Sequence, residues 1–206
     1  MVLKNLLQLV APPTATNYAV DWRRVAHEYR HGFPRDYVEY ADRYGEGVFD
    51  GFLNVFLPFS ETYLNDPSSE VRGITADVRL SCLIARLTGE VAGVRSGVRD
   101  VYCEPDELVG WGLTVESDVL CWRMTDSDPD RWTTVVWRRQ VPPPASWIEL
   151  DFGMGELLSC WAGDDIPGFG VSQLGRPYRG SRFLRFGDER RMRAQGMDPW
   201  GPDPVG

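Results

Sequence analysis

Apolar residues recur at helical spacing through the first 45 positions. Leu3, Leu6, Leu7 and Val10 stand at i, i+3, i+4 and i+7 and predict a short amphipathic helix stopped by Pro12 and Pro13. In DWRRVAHEYR, Asp21 is placed to cap a helix whose stripe is Trp22, Val25, Ala26 and Tyr29, with Gly32 ending it. Pro34 suits a first helical turn, and Tyr37, Tyr40, Ala41 and Tyr44 make one stripe before Gly45 stops the helix. At this spacing the aromatic residues predict core packing rather than a ligand-stacking face.

Past Gly45 the period changes. RYGEGVFDGFLNVFLP (43–58) sets Gly45, Gly47 and Gly51 between two patterned segments. A phosphate cradle runs strand, glycine turn, helix, so that the helix N-terminus faces the phosphate. Here the order is helix, glycines, then the alternating FLNVFL, and Glu46 and Asp50 would repel phosphate. Gly45 therefore reads as a helix C-cap, with Gly47 and Gly51 as turn or bulge positions. A helix follows over 69–87, with Val71, Ile74, Val78, Cys82 and Ala85 on one side. Residues 119–125 and 132–139 read as strands joined by the polar turn DSDPD, 147–152 as another strand, and 153–163 as a closing helix. The pattern predicts an α+β fold over residues 1–165, a single mixed, largely antiparallel sheet with helices packed on it.

From Asp164 the apolar periodicity fades into Gly, Pro and Arg. Residues 166–206 read as a loosely docked or disordered tail, and removing everything after about 170 is expected to leave the domain folded. The stretch RGSRFLRFGDERRMR is the one segment suited to phosphate. Without an aromatic–basic RNA module beside it, it reads as an arginine arm over the domain's own acidic face, and nucleic acid is not expected as a partner.

Charge sharpens this picture. Residues 1–172 carry 26 acidic and 15 basic residues, whereas the remainder carries seven arginines and four acids, for a net charge of −8 overall. An acidic body repels nucleic acid and anionic membranes and steers basic partners toward itself. The 206 residues, 43% apolar and 25% charged, suffice for one core without staples. Cys82, Cys103, Cys121 and Cys160 are widely spaced and predict free thiols in a reducing compartment rather than a disulfide framework. The leading MVLKNLLQLVAPP is a poor secretory signal and no run reaches membrane-span length, so a cytoplasmic protein without a membrane partner is expected.

The search for chemistry finds few candidates. His27 and His31 stand at i, i+4, but no acid completes a HExxH pattern, and they read as paired surface histidines. Asp126, Asp128 and Asp130 imitate the start of a calcium loop, yet Pro129 and the missing glycine make a hairpin turn the better reading. Acids also gather as Glu104, Asp106 and Glu107 and as Glu116 and Asp118. Acid pairs need environments that separate their pKa values, and no histidine is at hand to orient a base. These five, with Glu46 and Asp50, are therefore assigned to partner binding. No catalytic residue, metal or cofactor is predicted. Trp111, Trp122, Trp132, Trp137 and Trp147 stud the strand region, where core packing accounts for most of them.

Taken in order, these segments resemble the SMI1/KNR4 (SUKH) superfamily over about residues 3–163. The carriers are DWRRVAHEYRHGFPRDYVEYADRYGEGVFDGFLNVFLP and LVGWGLTVESDVLCWRMTDSDPDRWTTVVWRR. Trp22, then Pro34, Asp36 and Tyr37, then Tyr44, Gly45 and Gly47 match the family's tryptophan helix, "LP-x-DY" and "YG-x-G" elements, with Phe33 in place of the usual leucine. Trp111, Trp122, Trp132 and Trp137 match its tryptophan turn, tryptophan-ended strand and "PD-x-W" hairpin. The resemblance implies a non-catalytic α+β immunity protein that binds and blocks a cognate toxin, often a nuclease or deaminase, which this acidic body would meet on a basic surface. A regulatory or scaffold binding protein of the same fold is the alternative.

Overall fold

The structure, a computed structural model, describes residues 3–14, 20–59, 71–87, 93–96, 99–102, 104–141, 146–163 and 182–201, the two segments between 93 and 102 by their backbone alone. Three helices open the chain, α1 (Lys4–Leu9), α2 (Trp22–Glu28) and α3 (Arg35–Arg43), followed by strands β1 (Gly47–Phe49) and β2 (Leu53–Val55). Then come α4 (Val71–Leu87), the hairpin β3 (Gly93–Ser96) and β4 (Arg99–Tyr102), β5 (Leu108–Thr114), β6 (Val119–Arg123), β7 (Thr133–Trp137) and β8 (Trp147–Leu150). The described chain closes with α5 (Met154–Ala162), β9 (Phe183–Arg185) and α6 (Phe186–Ala194). Seven strands form one sheet in the order β8-β7-β6-β5-β2-β1-β9, and every pairing is antiparallel. The fold is α+β.

Local chemistry sets the start of α2 and the end of α3. Asp21 caps α2 by accepting from the Arg23 and Arg24 N–H groups, each at 3.1 Å. Pro34 stands at the N-cap of α3 rather than inside its first turn, and Tyr44 and Gly45 (φ +77°) end that helix. The tyrosine stripe is buried, as its spacing predicted, and each ring disposes of its hydroxyl where it can. Tyr37 donates to Phe56 O at 2.8 Å and Tyr44 to Val10 O at 2.6 Å, so α3 is bonded to the elements on either side of it.

The sheet separates two apolar layers. On one face α1, α2, α3 and α5 cover Phe49, Leu53, Val55, Trp111, Trp122 and Val136. On the other, Ile74, Val78 and Cys82 of α4 meet Leu108, Cys121 and Val135, and Phe186 of α6 packs beside Phe56. Alternation along β6 feeds both layers, with Leu120 and Trp122 on the first and Val119 and Cys121 on the second.

Three expectations are corrected here. Gly47 is a strand residue of β1, paired with Val55 and Arg185, instead of a turn. LVGWG is not a turn but the first five residues of the central strand β5. Its register shifts between Gly110 and Gly112, a bulge that sends Trp111 into the first layer. Gly110 is required there because a Cβ would lie 2.6 Å from Ile74 Cγ2 of α4. The third correction concerns the expected tail. Residues 182–201 belong to the fold: β9 is the seventh strand, Phe183 and Arg185 are buried, and Arg185 Nε donates to Tyr44 O at 2.9 Å. A segment rich in Arg and Gly lacks apolar periodicity yet supplies a strand, because only Phe183 must face the core and the ladder bonds are backbone. Residues 164–181 and 202–206 lie outside the described chain, as do Cys103 and the 142–144 proline run.

Candidate functional site

Strand registers bring the acids together. Leu108 stands opposite Arg123, Arg123 opposite Thr133, and Thr134 opposite Leu150. The residues before β5, after β6, before β7 and after β8 therefore share one end of the sheet. That end carries Glu104, Asp106 and Glu107, then Asp126, Asp128 and Asp130, then Glu149 and Asp151, against Arg35, Arg79, Arg123 and Arg131. Glu104, Asp106, Asp128, Asp130 and Asp151 are exposed there, and Glu107 and Asp126 are half-buried.

This end is held by bonds that run between elements. Met124 N donates to Glu107 O at 2.7 Å, and Arg123 spans two carboxylates, with Nε 2.8 Å from Glu107 Oε2 and Nη1 3.1 Å from Glu149 Oε2. Thr133 Oγ1 donates to Glu149 Oε1 at 2.5 Å. In the β6–β7 loop, Asp126 accepts from Asp128 N and Asp128 from Asp130 N, at 2.8 and 3.1 Å. The first of those bonds, with Arg131 nearby, holds the Asp126 carboxyl below its ordinary range. Trp132 Nε1 donates to Asp126 O at 2.7 Å, and Arg35 grips Asp130 through both its backbone N–H and its guanidinium, at 2.7 and 2.9 Å. The loop is thus tied to the core through Trp132 and to α3 through Arg35.

Three of the acids assigned to partner binding are not on this surface, or on any. Glu46, Asp50 and Asp118 are 0, 2 and 4% exposed. Asp50, at φ +49° in the β1–β2 turn, exchanges two bonds with Arg182, accepting from its N–H at 2.7 Å and donating to its carbonyl at 2.8 Å. Asp118 accepts from Arg139 N at 3.2 Å, and burial raises its pKa. Charged residues in tight turns look solvent-exposed in a sequence, but Asp50 is bonded to Arg182, just before β9, and Asp118 to the backbone of Arg139, just after β7. Glu116 is exposed at the opposite end of the sheet from Glu104 and Asp106. The histidines are not a surface pair either. His27 is exposed, whereas His31 is half-buried among the rings of Tyr29, Phe33 and Trp132 and donates through Nδ1 to Gly32 O at 2.7 Å. Burial lowers its pKa, which keeps the imidazole neutral.

No family model, curated protein or solved structure matches the chain.

Among the described residues, no group of three His, Cys, Asp or Glu is placed to hold a metal ion, and no helix is long and apolar enough to cross a membrane. Of the predicted tryptophans, Trp111, Trp122 and Trp132 are buried in the first layer, while Trp137 is half-buried and stacks on Trp147, centroids 5.4 Å apart. Trp22, also half-buried, donates to Asp42 Oδ1 at 2.9 Å. In the sequence DSDPD shows only as a turn, and no local spacing connects it with CEPDEL or with Glu149 and Asp151. A signal was present: the strand patterns of VLCWRMT and WIELDF put Arg123 and Glu149 on the same face once β7 is set between them.

Proposed function

We propose that this chain is an immunity protein of the SMI1/KNR4 type, which works in the cytoplasm by binding a basic toxin and covering its working surface. The observation that carries the reading is the acidic end of the sheet. Exposed carboxylates from three separate segments converge there on backbone tied to the core and to α3. Fixed charges of one sign accelerate encounter with an oppositely charged protein and set its orientation. Pre-organised loops also lower the ordering cost of binding. Several of the carboxylates that invite a catalytic reading are already committed within the fold. Glu107 pairs with Arg123 and Asp118 accepts from Arg139 N. The sequence resemblance points the same way, and it covers the segments that build both ends of β5 and β6.

Co-expression with the toxin domain encoded beside this chain tests the proposal. Protection of the host cell, with a complex isolated by affinity capture, is the expected result. Failure to protect against any neighbouring toxin would sink the proposal and leave the regulatory or scaffold alternative.

A further inference from the structure

Exposed arginines across the fold are engaged by carboxylates. Arg35 pairs with Asp130, Arg43 with Glu39, Arg72 with Glu28, Arg131 with Asp126 and Arg193 with Glu189. Arg23, Arg24 and Arg30 differ: among the described residues their guanidiniums have no ion pair and no hydrogen bond. All three are exposed, on α2 or in the turn that follows it. In a chain with 30 acids against 22 bases, three such cations in one short segment need an explanation.

The acids of this segment do not neutralise them. Asp21 accepts from the backbone N–H groups of Arg23 and Arg24 as the cap of α2, and Glu28 Oε2 lies 2.8 Å from Arg72 Nη2. Asp42, on α3, accepts from Trp22 Nε1. The Glu28 carboxyl is held below its ordinary range by the Arg72 bond first and further by Arg24 and His27, so the field over this face is positive. Arg24 is also held in place without a carboxylate. Its guanidinium lies over the half-buried ring of Phe59, 3.7 Å from the centroid, and Phe59 meets Tyr29 edge-on at 5.9 Å. A guanidinium stacked on a ring keeps its N–H donors for a planar carboxylate and loses little freedom on binding one.

Location decides the class of partner. The turn after α2 abuts the β6–β7 loop, with His31 5.6 Å from Trp132 and Arg35 bound to Asp130. The positive face therefore adjoins the acidic end. A polyanion such as nucleic acid would meet the exposed Asp128 and Asp130 nearby, and two copies of a chain of net charge −8 repel each other. A folded protein carries both signs, so one that sets basic residues on the acidic end can also set a carboxylate on α2.

We propose that Arg23, Arg24 and Arg30 receive an acidic segment of the same protein partner whose basic surface meets the acidic end. The inference deepens the immunity reading and rests on it for the partner's identity as a toxin. Adjoining charges of opposite sign fix a partner's orientation and reject proteins that are basic throughout.

The test uses the full-length protein and two labelled peptides that differ only in carrying glutamate or glutamine between tryptophans. Fluorescence anisotropy is expected to show the glutamate peptide binding at least about tenfold tighter, and weakening as salt rises from about 0.05 to about 0.5 M. An Arg23→Gln, Arg24→Gln, Arg30→Gln variant should lose about tenfold or more of that binding, with its thermal unfolding unchanged because none of the three is ion-paired. Equal binding of both peptides, undiminished binding by the variant, tighter binding of a single-stranded DNA of equal charge, or a wild-type dimer that the variant dissolves would each overturn the proposal. Toxin protection separates the two claims. If wild type and the variant protect equally, α2 is not a contact and the inference falls while the immunity reading stands. If wild type protects against no neighbouring toxin while the glutamate peptide binds as stated, the immunity reading falls and the α2 surface stands.

Discussion

Asp36 Oδ2, in the first turn of α3, accepts a hydrogen bond from Gly155 N at 2.8 Å, across 119 residues of sequence. Gly155 opens α5, and Gly153 stands at that helix's N-cap without a side chain to serve it. Asp36 is therefore the cap of a helix in another part of the chain, while its Oδ1 accepts from Tyr37 N at 2.7 Å. The approach also fixes both glycines. A Cβ at Gly153 would lie 2.8 Å from Asp36 Oδ2, and one at Gly155 would lie 2.8 Å from Leu3 Cδ2.

Replacing this carboxylate should loosen α5 from α3. Asp36→Ala strands a helix-opening N–H in a site where the carboxylate is only 7% exposed, a loss of about 1–3 kcal/mol. Gly155→Ala should cost a similar amount through overpacking, about 1–3 kcal/mol. Urea unfolding measures both. A midpoint unchanged in Asp36→Ala would mean that α5 is held by its apolar face alone.

Burial also raises the pKa of Asp36 and of Asp118, in each case against hydrogen bonds that pull the other way. A carboxyl raised in the folded state binds more protons than it does unfolded, so its contribution to stability is present at low pH and is lost as pH rises through the folded value. Asp118→Asn is the clean probe, since an amide oxygen can still accept from Arg139 N. As pH falls from about 7 toward the ordinary carboxylate value of about 4, wild type should gain stability relative to this variant. Parallel profiles of unfolding free energy against pH would show that Asp118 titrates normally.

How far such features could be read beforehand depends on their range. The periodic segments were legible: α1 through α4, β6 to β8 and α5 all follow from spacing within one window. Their partners were not. Asp36 looked like one polar residue in FPRDY, because nothing local shows that its acceptor serves residue 155. Asp50 looked like a surface acid because the strand that covers it begins 133 positions later, at Phe183. β1 and β9 are three residues each, too short to show alternation. The acidic end was visible as separate clusters, and only the pairing of β5 to β8 in register makes it one surface.

The C-terminal segment gives a prediction opposite in sign to the expectation from composition. Truncation before residue 182 removes β9, uncovers Phe49, Tyr40 and Tyr44 where Phe183 packs, and removes Arg182 from Asp50. Phe183→Ala alone should cost about 3–5 kcal/mol, and the truncation more. Trp200 closes the same segment, with Nε1 3.0 Å from Glu189 Oε1 and its ring against Gly51. Thermal unfolding is the measurement; an unchanged, cooperative transition in the truncated chain would return residues 182–201 to the status of an appendage.

Arg123 is the position where stability and the acidic end meet. Its guanidinium, 12% exposed, stands between Glu107 and the 8% exposed Glu149. Removing one partner of a buried pair leaves the other charge uncompensated, so Arg123→Ala should destabilise by about 3–5 kcal/mol. Removing the more buried acid as well, in an Arg123→Met, Glu149→Leu variant, should recover most of that loss, since an apolar pair avoids the desolvation while the 32% exposed Glu107 can be solvated. If the proposed immunity reading holds, the double variant, which keeps Glu104, Asp106, Asp128 and Asp130, should still protect against the co-expressed toxin once its fold is restored. If refolding restores stability without protection, the Arg123 bridge itself shapes the contact, and the exposed carboxylates alone do not define it.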